Sequence, residues 1–199
     1  MQLEARGIKF GYDKSRLILD DVLITIKPGE RVGMIGPSGC GKSTLALILS
    51  GYITPQGGDV FLGGKPLPKK GFCPVQLIHQ NPEKSLNPRI KLKESLGEAW
   101  SPPAEFLDKV GITAQWLERY PRELSAGELQ RFCIARVFAE QTRFIIADEI
   151  SVMLDVITQA QIWEFIINET RQREIGLLAI THSAELARKI CTRVIEYGQ

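Results

Sequence analysis

The 199-residue chain has no uninterrupted apolar run near the roughly 20 residues needed to cross a bilayer, so any membrane role must pass through a partner chain. Its first residues, MQLEARGIKF, lack the apolar core of a secretory signal. Cysteine is sparse: Cys40, Cys73, Cys133 and Cys191 are widely separated and form no CxxC pair. That argues against a zinc site, an iron–sulfur cluster and a disulfide framework, and fits cytosolic thiols. An excess of one charge is also missing, since 25 basic against 23 acidic residues leave +2. This balance speaks against an electrostatic grip on nucleic acid. Internal repeats and low-complexity segments are absent. What remains is an ordinary globular composition, 44% hydrophobic and 24% charged, which excludes disorder. A chain of this length fits one domain, or a core with one insertion, and buries about 70% of its unfolded surface without a staple.

The first 30 residues read as strands: Ile8 and Phe10 alternate with Lys9, and Leu23, Ile24 and Ile26 precede the turn Lys27-Pro28-Gly29. Val32, Met34 and Ile35 form a short apolar strand that enters a glycine-rich loop. Leu45, Leu47, Ile48 and Leu49 follow on a helix apolar enough to be buried. Gly57-Gly58 and Gly63-Gly64 bracket a strand over 59–62, as in a hairpin. Prolines 82, 88, 102 and 103 mark a change of character, and residues 84–135 read as a mostly helical insertion with Val110, Trp116 and Leu117 at apolar positions. A helix is expected from about Ser125 to Ala139, with Leu129, Phe132, Cys133 and Val137 on one face. Beyond it, strand and helix alternate. Strands are expected over 144–147, 177–180 and 194–197, with one helix on which Val156, Ala160, Trp163 and Ile167 follow helical spacing and a shorter one bearing Ala187 and Ile190. Such alternation builds a parallel α/β sheet.

Three motifs carry chemistry. Residues 36–44 are Gly36, Pro37, Ser38, Gly39, Cys40, Gly41, Lys42, Ser43 and Thr44, a match to GxxxxGK[ST] between an apolar strand and an apolar helix. Glycines let backbone N–H groups turn inward onto phosphate oxygens, Lys42 brings charge to the β- and γ-phosphates, and the Ser43 hydroxyl can ligate Mg²⁺. This composition gives roughly 0.01 chance matches to that pattern in the whole chain. The second motif ends a buried strand in two acids, Asp148 and Glu149, at the edge where α/β sheets bind ligands. Asp148 would hold Mg²⁺, directly or through water, and Glu149 would orient and polarise the attacking water. Taken alone, two solvated acids at a strand end would be the simpler reading. The third is Leu124-Ser125-Ala126-Gly127-Glu128 ahead of Gln130-Arg131, which in isolation is an ordinary capping box. Its place 23 residues before Asp148, within the insertion, gives it weight.

In this order, the motifs resemble those of the ATP-binding subunit of ATP-binding cassette (ABC) transporters, over nearly the whole chain. GPSGCGKST resembles the Walker A motif, FIIADE the Walker B motif, and LSAGE the signature usually written LSGGQ. Four weaker matches keep the family's order: Tyr12, the aromatic that stacks on adenine; Gln80, the Q-loop glutamine; Asp155, the D-loop aspartate; and His182, the switch histidine. Each of these four has a plain structural alternative when taken alone.

The resemblance implies a P-loop NTPase (RecA-like) core with an N-terminal antiparallel β subdomain and an inserted helical subdomain. It implies one domain over 1–199, with 1–83 and 136–199 as β subdomain and core and 84–135 as the insertion. It implies ATP and Mg²⁺ as ligands, with Ser43, Gln80 and Asp148 at the metal and Glu149, His182 and Gln80 as the catalytic set. Ser125, Ala126, Gly127 and Glu128 would act on the ATP of a second ATPase subunit, in a homo- or heterodimer. The segments QNPEKSLNP and RYPRELS resemble the oligopeptide, dipeptide and nickel import group. That implies permease partners, indirectly an extracellular solute-binding protein, and a place at the cytoplasmic face of the membrane. Ala126 and Glu128 depart from the signature, SVMLD departs from the common SALD type, and the chain stops at Tyr197-Gly-Gln where relatives run on. Two other readings compete. One is a soluble ABC-type ATPase without a permease, disfavoured by the lack of a coiled-coil insertion, a second cassette and a basic excess. The other is a nucleotide-binding scaffold without turnover, disfavoured by Glu149 and His182.

Overall fold

The structure, a computed structural model, describes residues 1–13, 16–152 and 154–198. Met153, inside the SVMLD motif, and the terminal Gln199 lie outside the described residues. Two sheets organise the fold. Strands β1 (Leu3–Phe10) and β2 (Leu19–Ile26) pair antiparallel. Strand β3 (Arg31–Ile35) leads through the glycine loop into helix α1 (Lys42–Leu49). Strands β4 (Gly57–Leu62) and β5 (Lys65–Pro66) form a hairpin whose turn is Gly63-Gly64, and the first sheet has the order β2-β1-β4-β5.

Strand β6 (Val75–Ile78) opens the second half and was not anticipated. After it come helices α2 (Leu92–Gly97), α3 (Ala104–Val110), α4 (Ala114–Leu117) and α5 (Ala126–Val137). Then follow β7 (Phe144–Asp148), α6 (Val156–Gln172), β8 (Gly176–Ile180), α7 (Ala184–Ile190) and β9 (Arg193–Glu196). The second sheet is parallel throughout, in the order β6-β7-β8-β3-β9. The helix expected from Ser125 begins one residue later because Ser125 is its N-cap, its side chain accepting from the N–H of Glu128.

The parallel strands are buried on both faces, which is why β7 and β8 read as continuous apolar runs. Their alternate residues serve two cores. Phe144, Ile146, Leu178 and Ile180 pack with Val32, Met34, Leu45, Ile48 and Leu49 and with the first sheet. Ile145, Ala147, Leu177 and Ala179 face Phe132, Phe138, Ile162 and Phe165 on the helical side. Phe106 of α3 stands 5.9 Å from Phe138 and 5.4 Å from Phe165, so the helical segment shares its core with the sheet.

The expected helix is α6, and its buried face is not the stripe of Val156, Ala160, Trp163 and Ile167 as a whole. Ile162, Trp163, Phe165, Ile166, Glu169 and Thr170 are buried, whereas Val156 is 80% exposed and Ala160 is exposed. Two apolar stripes overlap at Trp163, and the sheet takes the one carrying Ile162, Phe165 and Ile166, which puts more large apolar surface on the core. Among the described residues no helix is long and apolar enough to cross a membrane.

Candidate active site

A parallel sheet points all its strand ends one way, so four separate stretches of sequence are delivered to a single edge. β3 delivers the glycine loop, β7 delivers Asp148 and Glu149, β8 delivers Thr181 and His182, and β6 delivers Gln80. The glycines do what was expected of them at two positions. Gly41 has φ 97° and any Cβ there would lie 2.7 Å from Leu19. A Cβ on Gly36 would lie 2.2 Å from the Tyr197 carbonyl oxygen, so the loop leaves β3 only as glycine.

Lys42 is 5% exposed, and its ammonium donates to the carbonyls of Gly36 at 2.9 Å and Pro37 at 2.8 Å. These bonds curl the loop around the lysine. Beside it a cavity of about 430 Å³ is lined by Tyr12, Ile18, Ser38, Gly39, residues 41–44, Gln80 and Glu149. Tyr12 is 66% exposed, stands edge-on to Phe10 at 5.1 Å, and its hydroxyl is 3.5 Å from Thr44 Oγ1. An open aromatic face at the mouth of a phosphate loop suits a nucleobase. Ile18 completes that wall; nothing in the sequence set it apart from other apolar residues at a strand start.

Asp148 is 6% exposed and its Oδ1 makes no hydrogen bond, while the Ser43 hydroxyl bonds the carboxylate. Burial raises its carboxyl above the usual value and Glu149 adds to this; Ser43 pulls it partway back. A buried carboxylate oxygen without a partner, next to a hydroxyl and a phosphate loop, fits Mg²⁺. That ion takes one or two protein oxygens and fills its other positions with water and phosphate. Among the described residues no cluster of three or more histidines, cysteines or acids offers an all-protein metal cage.

Glu149 holds φ 49°, a left-handed backbone that costs a side-chain-bearing residue about 1–3 kcal/mol and persists only where its surroundings fix it. The twist brings Glu149 Oε2 to 3.2 Å from Gln80 Nε2 and 4.0 Å from His182 Nδ1. The sequence-predicted trio of Gln80, Glu149 and His182 is thus brought together, with the carboxylate at its centre.

The other predicted residues lie apart. None of Ser125, Ala126, Gly127 or Glu128 lines the cavity. Ser125 N–H and Ser125 Oγ both donate to Glu128 Oε2, at 2.7 and 2.8 Å, and the bonds to Ser125 hold the Glu128 carboxyl below its usual value. Asp155 caps α6, accepting from the N–H groups of Ile157 and Thr158 at 3.0 Å and from the Thr158 hydroxyl at 2.6 Å.

A phosphate loop on β3, acids at the end of β7 and a parallel sheet between two cores define a P-loop nucleotide hydrolase. The sequence profile of the ABC transporter family matches residues 19–152. A nickel import system ATP-binding protein NikE from Staphylococcus aureus (strain bovine RF122 / ET3-1) is 33% identical over 206 aligned residues, covering 97% of this chain and 85% of that protein. The homologous protein of strain N315 is 32% identical with the same coverage. Among solved structures, a dimeric bacterial ABC transporter cassette, MJ0796, superposes with a TM-score of 0.83 at 22% identity, covering 98% of this chain and 94% of that one. CbiO1 from Clostridium perfringens, part of the ABC transporter complex cbiONQ, superposes with a TM-score of 0.79 at 21% identity, covering 98% and 84%. The chain belongs to the ABC transporter family, as one of its nucleotide-binding ATPases.

Proposed function

We propose that this chain is the ATP-hydrolysing subunit of an importer, energising uptake of nickel, a metal chelate or a peptide through membrane permease subunits. The observation that carries this reading is the 33% identity, over 97% of the chain, to a nickel import system ATP-binding protein. In this reading Tyr12 stacks on the adenine, and the loop N–H groups and Lys42 take the phosphates. Ser43 and Asp148, with Gln80 nearby, hold Mg²⁺, which when bound spreads positive charge over the β- and γ-phosphates. Glu149 orients and polarises a water whose oxygen attacks the γ-phosphorus as the bond to the β–γ bridging oxygen breaks, leaving ADP and phosphate. Gln80 and His182 hold the carboxylate in place for that water. Phosphoryl transfer of this loose kind needs positioning and charge more than covalent help, and the site supplies both.

The signature supports a second chain. Ser125 to Glu128 do not line the chain's own cavity, so in this reading they cap the γ-phosphate bound by another ATPase subunit, with Asp155 at the seam between the two. The chain then works as half of a homo- or heterodimer on the cytoplasmic side of its permease, with an external solute-binding protein upstream. Affinity purification from membranes tests this. The expected result is co-purification with an integral membrane permease and a second cassette, and ATP hydrolysis stimulated by them. Recovery with soluble proteins alone would overturn the importer reading in favour of a soluble ABC-type ATPase.

A further inference from the structure

The segment after Glu149 is tied to α6 through one buried hydroxyl. Ser151 is 7% exposed, and its Oγ accepts hydrogen bonds from Gln159 Nε2 at 3.0 Å and Trp163 Nε1 at 3.2 Å. The two donors are four residues apart on α6 and so share one face of the helix, converging on a single acceptor. Trp163 is itself 3% exposed, so its indole N–H has no access to bulk water and depends on Ser151. On the other side, Glu149 N–H donates to the Ile180 carbonyl at 3.0 Å. The left-handed Glu149 is thus held upstream by β8 and downstream, two residues on, by α6.

We propose that Ser151 and Trp163 are positioning residues for Glu149. They pin the chain that follows it, so that the carboxylate stays at 3.2 Å from Gln80 instead of relaxing out of its left-handed backbone. Leu154, whose N–H donates to the Ser151 carbonyl at 3.2 Å, places its Cδ2 3.3 Å from where a Cβ on Gly127 would stand, at the start of the signature helix. The inference rests on the reading of Glu149 as the group that orients water.

The test is a mutant cycle in the full chain, with ATP hydrolysis, nucleotide affinity and tryptophan emission measured together. Ser151→Ala and Trp163→Phe are each expected to lower kcat roughly tenfold, since small misplacements of a catalytic group are costly, while nucleotide affinity stays at the wild-type value. The double variant should be no worse than the worse single one, because both changes cut the same bond. Ser151→Thr, which keeps the acceptor, should restore kcat. The emission component lost in Trp163→Phe should shift in Ser151→Ala and return in Ser151→Thr. Wild-type kcat in Ser151→Ala, fully additive losses, or equal falls in affinity and turnover would each overturn the proposal. Glu149→Gln in the same assay separates the two levels. If it hydrolyses ATP like the wild type, the reading of Glu149 fails. If it is inactive while Ser151→Ala is normal, only the pin fails.

Discussion

At the carboxyl edge of the parallel sheet, Asp148 keeps a buried oxygen without a partner and Glu149 a strained backbone, whereas at the start of α5 Ser125 and Glu128 satisfy one another. The first region has unmet polar demand that a nucleotide with its metal would meet. In the second, the Ser125 N–H and hydroxyl are already taken by the Glu128 carboxylate, which would have to move before that hydroxyl could donate elsewhere. A fold that left both regions unsatisfied would lose stability twice. This one concentrates the cost at the end of β7 and keeps the start of α5 well capped.

The largest effect is expected from Lys42→Ala. It removes the one side-chain cation of the phosphate loop and its two loop-curling bonds. ATP binding or turnover should be lost, and a wild-type hydrolysis rate would contradict the phosphate-loop assignment. Glu149→Gln is next. It keeps the shape and a hydrogen bond to Gln80 but loses the carboxylate, so kcat should fall by about 10²-fold or more with binding retained. Light scattering after size exclusion should then find an ATP-trapped dimer, and a monomer under saturating ATP would count against the two-chain site.

Asp148→Asn tests whether the buried carboxylate is unsatisfied without a ligand. Burial raises the Asp148 carboxyl, so the folded chain binds its proton more tightly than the unfolded chain does. Stability is therefore lost as the pH rises through the ordinary carboxylate range toward the raised value. Removing the charge should raise Tm at neutral pH in the absence of nucleotide while abolishing hydrolysis. A Tm that falls instead would mean the carboxylate is satisfied. The smallest effect belongs to Glu128→Gln. Glutamine also serves in a capping box, so stability should hold to within about 1 kcal/mol. Loss of a negative charge beside an incoming γ-phosphate should strengthen ATP-dependent association several-fold, read by the dimer dissociation constant.

Much of the fold was legible locally. The glycine loop between an apolar strand and an apolar helix, the acid-ended strand and the helix capped by Ser125 each carry their signal within a dozen residues. Strand β6 does not: Val75 to Ile78 is four residues after a proline and becomes a strand by pairing with β7, nearly 70 positions away. The inner face of α6 is not legible locally for a related reason. Val156, Ala160, Trp163 and Ile167 have helical spacing, but so do Ile162, Phe165, Ile166 and Glu169, and only the sheet beneath chooses between them. At the site, residue types named the loop, the acids and the trio around Glu149. The left-handed backbone of Glu149 and the buried Ser151 hydroxyl arise from contacts among β8, α6 and the connecting segment, which no short motif encodes.

In the proposed dimer, one chain holds the phosphate loop and another completes it. The most direct measurement is ATP hydrolysis per chain as a function of chain concentration, for the wild type and for Ser125→Arg, with a partner cassette added in a parallel series. A two-chain site gives a low rate per chain when dilute, a rise with concentration or on adding the partner, and no rise with concentration when every chain carries Ser125→Arg. A rate per chain that is constant with concentration and unchanged by Ser125→Arg would contradict it.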